Sequence, residues 1–223
     1  MDGKLIVFEG IEGCGKTTQL ERSRHWLNES GWLTKLQTQR GVRDLMLTRE
    51  PGGTALGQGI RQLLLHTHNE PIQDRTELLL YAADRAQHVE GFLRPYLKTG
   101  ALILCDRYTD STVAYQGYGR GLDLALIEQL NQVATGGLKS DLTLWLDLDV
   151  EEGLARMQQR GKRDRIEQAS LDFHQRVRQG FAALAHSEPE RFVQIEASGS
   201  ELEVADRISA ALSQALTRWY GLD

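Results

Sequence analysis

The chain has 223 residues, of which 40% are apolar and 26% charged, and a formal net charge of −5. That length suits one compact α/β domain with a full core and leaves little room for a second. The acidic excess, without any long Lys or Arg run, argues against a nucleic-acid polymer as partner, and no apolar stretch approaches the roughly 20 residues of a membrane helix.

Short β-rich apolar runs alternate with longer segments of helical period, which predicts a parallel sheet covered by helices on both faces. The N-terminus runs without a basic leader into the first strand, Leu5–Phe8. Directly after it comes Gly10-Ile11-Glu12-Gly13-Cys14-Gly15-Lys16-Thr17-Thr18, which satisfies G-x-x-x-x-G-K-[ST] between a strand and a helix. Such a loop turns backbone amides toward one centre, and the following helix adds its positive end, a geometry suited to a polyphosphate. Lys16 is expected to bridge the β- and γ-phosphates of ATP, and the Thr17 hydroxyl to hold Mg²⁺. Cys14 is either a thiol made reactive by the helix N-terminus, which ATP would protect from alkylation, or a small filler. It and Cys105 are the only cysteines and lack metal or redox spacing, as expected in a reducing cytoplasm.

Thr34 to Asp44 is polar and mixed and is expected to form a loop or small hairpin before the second strand, Leu45–Thr48. Thr48-Arg49-Glu50-Pro51-Gly52-Gly53-Thr54 follows. Leu56, Ile60, Leu63 and Leu64 then share one helical face, Asp74 with Glu77 reads as a capping box opening a helix to Leu97, and Gly100 ends it. The third strand is Leu102–Asp106, continuing into Arg107-Tyr108. Leu126, Ile127, Leu130 and Val133 mark another helix, ended by Gly136. The fourth strand is Leu142–Asp147, and a helix to Gly161 follows. Phe192–Ile195 is the fifth strand, and Ser200 with Glu203 caps a helix over Leu202–Trp219.

In a parallel sheet the carboxyl ends of the strands lie on one side, so Arg49 and Arg107 should emerge beside the phosphate loop. Two permanently charged planar forks can clamp a second phosphate; the bland alternative is a surface salt bridge for each. Arg156, Arg160, Lys162, Arg163 and Arg165 crowd the next helix end, either as a solvated C-terminus or as a lid that brings a guanidinium to the moving phosphoryl group. Asp106 is a candidate for a Mg²⁺-bound water and Asp147 a weaker one. No serine–histidine pair or evident general base occurs, and a phosphate acceptor needs none, because near pH 7 its oxygen is already anionic.

Together these motifs resemble the thymidylate kinase family along the whole chain: Phe8-Glu9-Gly10 with the phosphate loop, the Thr48–Thr54 run, Tyr81-Ala82-Ala83-Asp84-Arg85, Asp106-Arg107-Tyr108 through Ala114-Tyr115-Gln116-Gly117, and Asp164-Arg165-Ile166-Glu167. The resemblance implies a P-loop kinase fold spanning 1–223, with a short lid at approximately 156–168, that passes the γ-phosphate of ATP to dTMP by in-line transfer in dTTP synthesis. By the same resemblance Glu12 lies near the deoxyribose 3′-hydroxyl, Arg49 and Arg107 hold the acceptor phosphate, Tyr81 stacks on thymine, and Arg85 donates to a thymine carbonyl. Thr112 and Gln116 read the pyrimidine edge, and Tyr115 sits beneath the sugar. The phosphate loop carries no arginine while the lid has several, which resembles the bacterial lid-arginine type, with Arg160 as the catalytic arginine. A homodimer is likewise implied. The longer Thr34–Asp44 segment departs from the family. Other readings remain: a deoxynucleoside kinase, which would need a carboxylate base at a 5′-hydroxyl, and a P-loop switch, which would turn over ATP without an acceptor.

Overall fold

The protein is described from a computed structural model covering residues 3–66, 70–161 and 165–222, the side chains of Gln159 and Arg160 excepted. Five parallel strands, β1 (Lys4–Glu9), β2 (Leu45–Arg49), β3 (Leu102–Asp106), β4 (Leu142–Asp147) and β5 (Phe192–Glu196), form one sheet in the order β2-β3-β1-β4-β5. Each agrees with its sequence expectation to within a residue. The central strand β1 is buried on both faces from Leu5 to Phe8, which is why its sequence is a continuous apolar run rather than an alternation. After β3 the chain crosses β1 to place β4 on its other side, so the strand order reverses around β1 and a crevice opens beyond its carboxyl end.

The helices are α1 (Lys16–Glu29), α2 (Trp32–Arg40), α3 (Ala55–Leu65), α4 (Asp74–His88), α5 (Arg94–Lys98), α6 (Thr109–Thr112), α7 (Leu124–Thr135), α8 (Val150–Arg160), α9 (Leu171–Ser187) and α10 (Glu201–Tyr220). A π-helical turn, Val89–Leu93, joins α4 to α5, and another, Val113–Gly119, continues α6. Ile6, Phe8, Leu102 and Leu144 meet α1, α9 and α10 in the larger core, while Leu5, Val7, Ile103 and Cys105 pack on Val89, Leu93 and Leu97 on the other face. None of the helices among the described residues is long and apolar enough to cross a membrane.

Several local expectations need correction. The Thr34–Asp44 stretch is mostly helix: α2 ends at Gly41 in a left-handed conformation, and Leu36 is its one fully buried residue, too little to give an apolar period. Its Arg40 instead donates to the carbonyls of Tyr220 and Gly221 at the end of α10, a contact no local pattern encodes. Asp74 is no N-cap. Gln73 holds that position, and Asp74 and Glu77 both lie in the first turn of α4. Ser200 and Glu203 do form the reciprocal capping box. The apolar faces of α3 and α7 cover the interior only in part, because both helices lie against α4 and not flat on the sheet. Leu64 and Ile127 are buried, whereas Leu56, Leu63, Leu126 and Val133 are exposed.

Candidate active site

The phosphate loop joins β1 to α1 and is pinned from behind. Gly13 has φ 76°, and a Cβ there would stand 2.2 Å from the Gly153 carbonyl oxygen in α8, so both the backbone conformation and the space require glycine. Gly10, Gly15 and Thr18 complete the turn with Ile11 and Cys14, whose side chains lie in the core. Cys14 is 2% exposed, which favours the filler reading over a reactive thiol. Lys16 donates to the carbonyls of Gly10 (3.0 Å) and Ile11 (2.8 Å), so its ammonium already stands within the loop. Thr17 Oγ1 donates to Asp106 Oδ2 at 2.8 Å, bringing a hydroxyl of α1 and a carboxylate of β3 together beside the loop.

A cavity of about 550 Å³ opens in front of this loop. It is lined by Glu12, Lys16 and Thr17 of the loop and the start of α1, by Arg49, Tyr81, Arg85, Arg107, Thr112, Tyr115 and Gln116, and by Ile166 and Glu167. Arg49 is exposed at the end of β2, in register with Asp106 on β3. Arg61 of α3 also lines the cavity and donates to the Pro51 carbonyl at 2.9 Å. Burial, with Arg49 and Arg107 nearby, lowers its pKa, as expected where guanidiniums crowd together. Sequence reading missed this third arginine because it lies within an ordinary amphipathic helix.

Arg107 reaches the cavity by a backbone device. Its φ is 72°, an uncommon conformation for a residue with a side chain, and it turns the guanidinium back over the phosphate loop. All four terminal N–H groups are engaged: Nη1 with Gly10 O and Ser111 Oγ (both 3.0 Å), Nη2 with Glu12 Oε1 (2.6 Å) and Tyr115 OH (3.0 Å). Tyr115 OH donates to the other oxygen of Glu12, and its ring lies 4.8 Å beneath the guanidinium. Burial raises the pKa of Glu12, but Arg107, Lys16 and the Tyr115 hydroxyl outweigh it and hold the group below the usual carboxylate range. An incoming anion would therefore compete with Glu12 for Arg107.

Behind Arg107 sits Glu9, fully buried at the end of β1. It accepts from Tyr108 N (2.8 Å), Ser111 N (3.1 Å) and Ser111 Oγ (2.6 Å), holding the turn that carries Arg107. Burial pushes its pKa up to about 7, against the pull of Arg107 and these donors. Arg85 on α4 is 2% exposed and donates to Glu50 Oε2 (2.8 Å), Thr112 Oγ1 (2.9 Å), Asn131 Oδ1 (2.8 Å) and Tyr108 O (3.0 Å). Four of its five N–H groups are thus spent inside the protein. Glu50 also meets His88 Nδ1 at 2.8 Å, and Gln116 Nε2 donates to Glu77 at 2.8 Å. Glu9 and Glu50 carry no assigned role in the sequence reading, and Glu77 is read there only as the capping-box partner of Asp74. Glu9 and Glu50 stand inside quoted motifs, and that adjacency was the available signal. Asp147, the weaker metal candidate, is instead paired with Arg178 (2.7 Å) and Gln194 (2.8 Å). The Arg160 side chain, Lys162, Arg163 and Asp164 lie outside the described residues.

Residues 8–208 match the family model described as thymidylate kinase. The chain belongs to the thymidylate kinase family. It is 64% identical to the thymidylate kinase of Cyanothece sp. across 99% of this chain and 97% of that protein, and 57% identical to that of Thermosynechococcus vestitus across 98% and 90%. The crystal structure of thymidylate kinase from Ehrlichia chaffeensis superposes with a TM-score of 0.74 at 33% identity, covering 96% of this chain and 100% of that one. Membership in the thymidylate kinase family accords with the P-loop kinase fold seen in the strand order and the loop after β1.

Proposed function

We propose that the protein phosphorylates dTMP to dTDP with ATP, as a step toward dTTP, and that residues 1–223 act as a single nucleoside monophosphate kinase domain. The observation that carries this reading is one cavity lined by Lys16 and Thr17 of the phosphate loop together with Arg49, Arg61 and Arg107. Two polyanions can meet there only if their charges are neutralised, and these residues supply that neutralisation. Amides of Gly10–Thr18 and Lys16 grip the donor phosphates, while Arg49 and Arg107 grip the acceptor phosphate. An anionic oxygen of dTMP attacks the γ-phosphorus in line, a new P–O bond forms as the bond to the β,γ-bridging oxygen breaks, and ADP leaves. No protein base is required, because that oxygen carries no proton near pH 7.

Tyr81 offers its ring to thymine, and Thr112 and Gln116 face the base edge with Arg85. The remaining N–H of Arg85, on Nη2, is the one available for a thymine carbonyl. Tyr115 and Glu12 take the sugar. Thr17 and Asp106 fit a Mg²⁺ ion, being two hard oxygen ligands that already touch, with phosphate and water to complete the shell; the ion would neutralise phosphate charge. The segment 156–168 acts as a lid with Arg160 as its catalytic arginine. The exposed Leu56, Leu63, Leu79, Leu126 and Val133 on α3, α4 and α7 give an apolar strip for a homodimer in the cytoplasm.

An ADP-release assay with ATP, Mg²⁺ and a panel of nucleosides and nucleoside monophosphates tests the reading. Turnover should depend on dTMP. Release that is independent of acceptor, or faster with thymidine than with dTMP, would overturn it.

A further inference from the structure

Glu77 lies in the first turn of α4 with no exposed surface, and the catalytic scheme gives it no part. Its carboxylate collects three donor side chains from two distant stretches of chain. Gln116 Nε2 donates to Oε1 at 2.8 Å, Arg120 donates through Nε to Oε1 (3.3 Å) and through Nη2 to Oε2 (3.2 Å), and Arg165 Nη2 bonds to Oε2. Burial raises the pKa of Glu77, but Gln116, Arg120 and Arg165 outweigh it and keep the group below the usual range. Stability alone does not call for this arrangement, since well-packed apolar residues serve as well as a buried ion pair in many proteins. What a buried carboxylate adds is a fixed point to which several donors must return.

Those donors connect to two parts of the cavity lining. Gln116 lines the cavity itself, and Arg165 immediately precedes Ile166 and Glu167, which line it from another stretch of chain. Arg165 is further docked on the end of α3, its backbone N–H donating to Leu65 O (3.2 Å) and its Nε to Leu64 O (3.0 Å). Arg120 lies 4.8 Å over the ring of Phe173, which meets Tyr115 edge-on at 6.2 Å. One carboxylate thus bonds to Gln116 of the cavity lining and to Arg165, the neighbour of two further lining residues.

We propose that Glu77 is a positioning residue, which orients Gln116 toward the acceptor base and, through Arg165, sets the Ile166–Glu167 stretch of the lining, so that the two parts are fixed together. The proposal rests on the kinase reading for the identity of the acceptor.

The test compares wild type, Glu77→Gln, Arg165→Ala and the double variant by steady-state kinetics, with acceptor and ATP varied separately, and by calorimetric dTMP binding. Glu77→Gln should raise the dTMP KM and Kd roughly tenfold or more, as for loss of hydrogen bonds to a charged group, with ATP KM changed less than about twofold. Arg165→Ala should show the same split, and the double variant should be no worse than Glu77→Gln, because both act through one contact. Equal rises in both KM values, additive losses, or an unchanged dTMP KM would overturn the proposal and leave Glu77 a fold residue. Should Glu77→Gln fail to fold, Arg165→Ala decides alone. Wild-type turnover is read first: preference for another monophosphate overturns the dTMP assignment and moves the same comparison to that acceptor, while a wild type that neither binds nor turns over any monophosphate overturns both.

Discussion

On the donor side, nine consecutive residues from Gly10 to Thr18 make the cradle, and its chemistry is mostly backbone. On the acceptor side, the two buried arginines depend on partners far away: Arg107 meets Glu12 across 95 positions, and Arg85 meets Glu50 across 35 and Asn131 across 46. The donor side is therefore held by local conformation and tolerates loss of a side chain without losing its shape. The acceptor side is held by buried charge pairs, so its recognition residues are also structural ones.

The largest expected effect tests that difference directly. Arg85→Ala leaves Glu50 buried beside His88 alone, and should cost about 3–5 kcal/mol of stability, as for one partner removed from a buried pair; urea unfolding of variant and wild type measures it. A stability within experimental error of wild type would mean that Arg85 serves recognition only. Lys16→Met, on the donor side, should do the opposite. Turnover should fall roughly a thousandfold, as when a charge-stabilising donor is removed, while the unfolding midpoint stays near that of wild type. A comparable loss of stability would end the contrast between the two sides.

Glu9 sharpens the comparison through pH. Its pKa rises from an ordinary 4.5 to about 7 on folding, so the folded chain holds this proton more tightly than the unfolded one. Its contribution is therefore most favourable at or below pH 4.5, falls as pH rises from about 4.5 to 7, and is level above that, a change of about 3 kcal/mol at most. Glu9→Gln should lack that slope, so that the difference in unfolding free energy between wild type and variant changes across this pH interval, and parallel curves for the two would refute it. The smallest effect is on binding. Arg107→Ala should raise the dTMP KM and lower turnover by about ten- to hundredfold with ATP affinity nearly unchanged, and an equal loss of ATP affinity would show that its bond to Gly10 O shapes the donor loop too.

Residues differ in how far their role can be read in sequence. Gly10, Gly15 and Lys16 announce themselves because the loop's geometry is local and only a few residue types satisfy it. Arg49 and Arg107 are legible one step further on, since strand ends in a parallel sheet share a side. Arg61 and Glu77 are not legible. Each lies in an amphipathic helix where a charged residue reads as solvent-facing, and only packing against other elements turns it inward. The α2 helix escaped for the converse reason: it buries Leu36 alone among its residues, so no apolar period marks it.

By itself the sequence determined the alternation of strands and helices, the phosphate loop and the motifs that carry the family, because periodicity, glycine conformation and short-range spacing are properties of neighbouring residues. Only the tertiary structure decided the left-handed turn at Arg107, its capture by Glu12 and Tyr115, the buried partners of Arg85, and the meeting of Gln116, Arg120 and Arg165 on Glu77. Those contacts join residues from separate elements in a buried interior, where the partner of a charge is set by which helix packs on which strand and not by its neighbours along the chain.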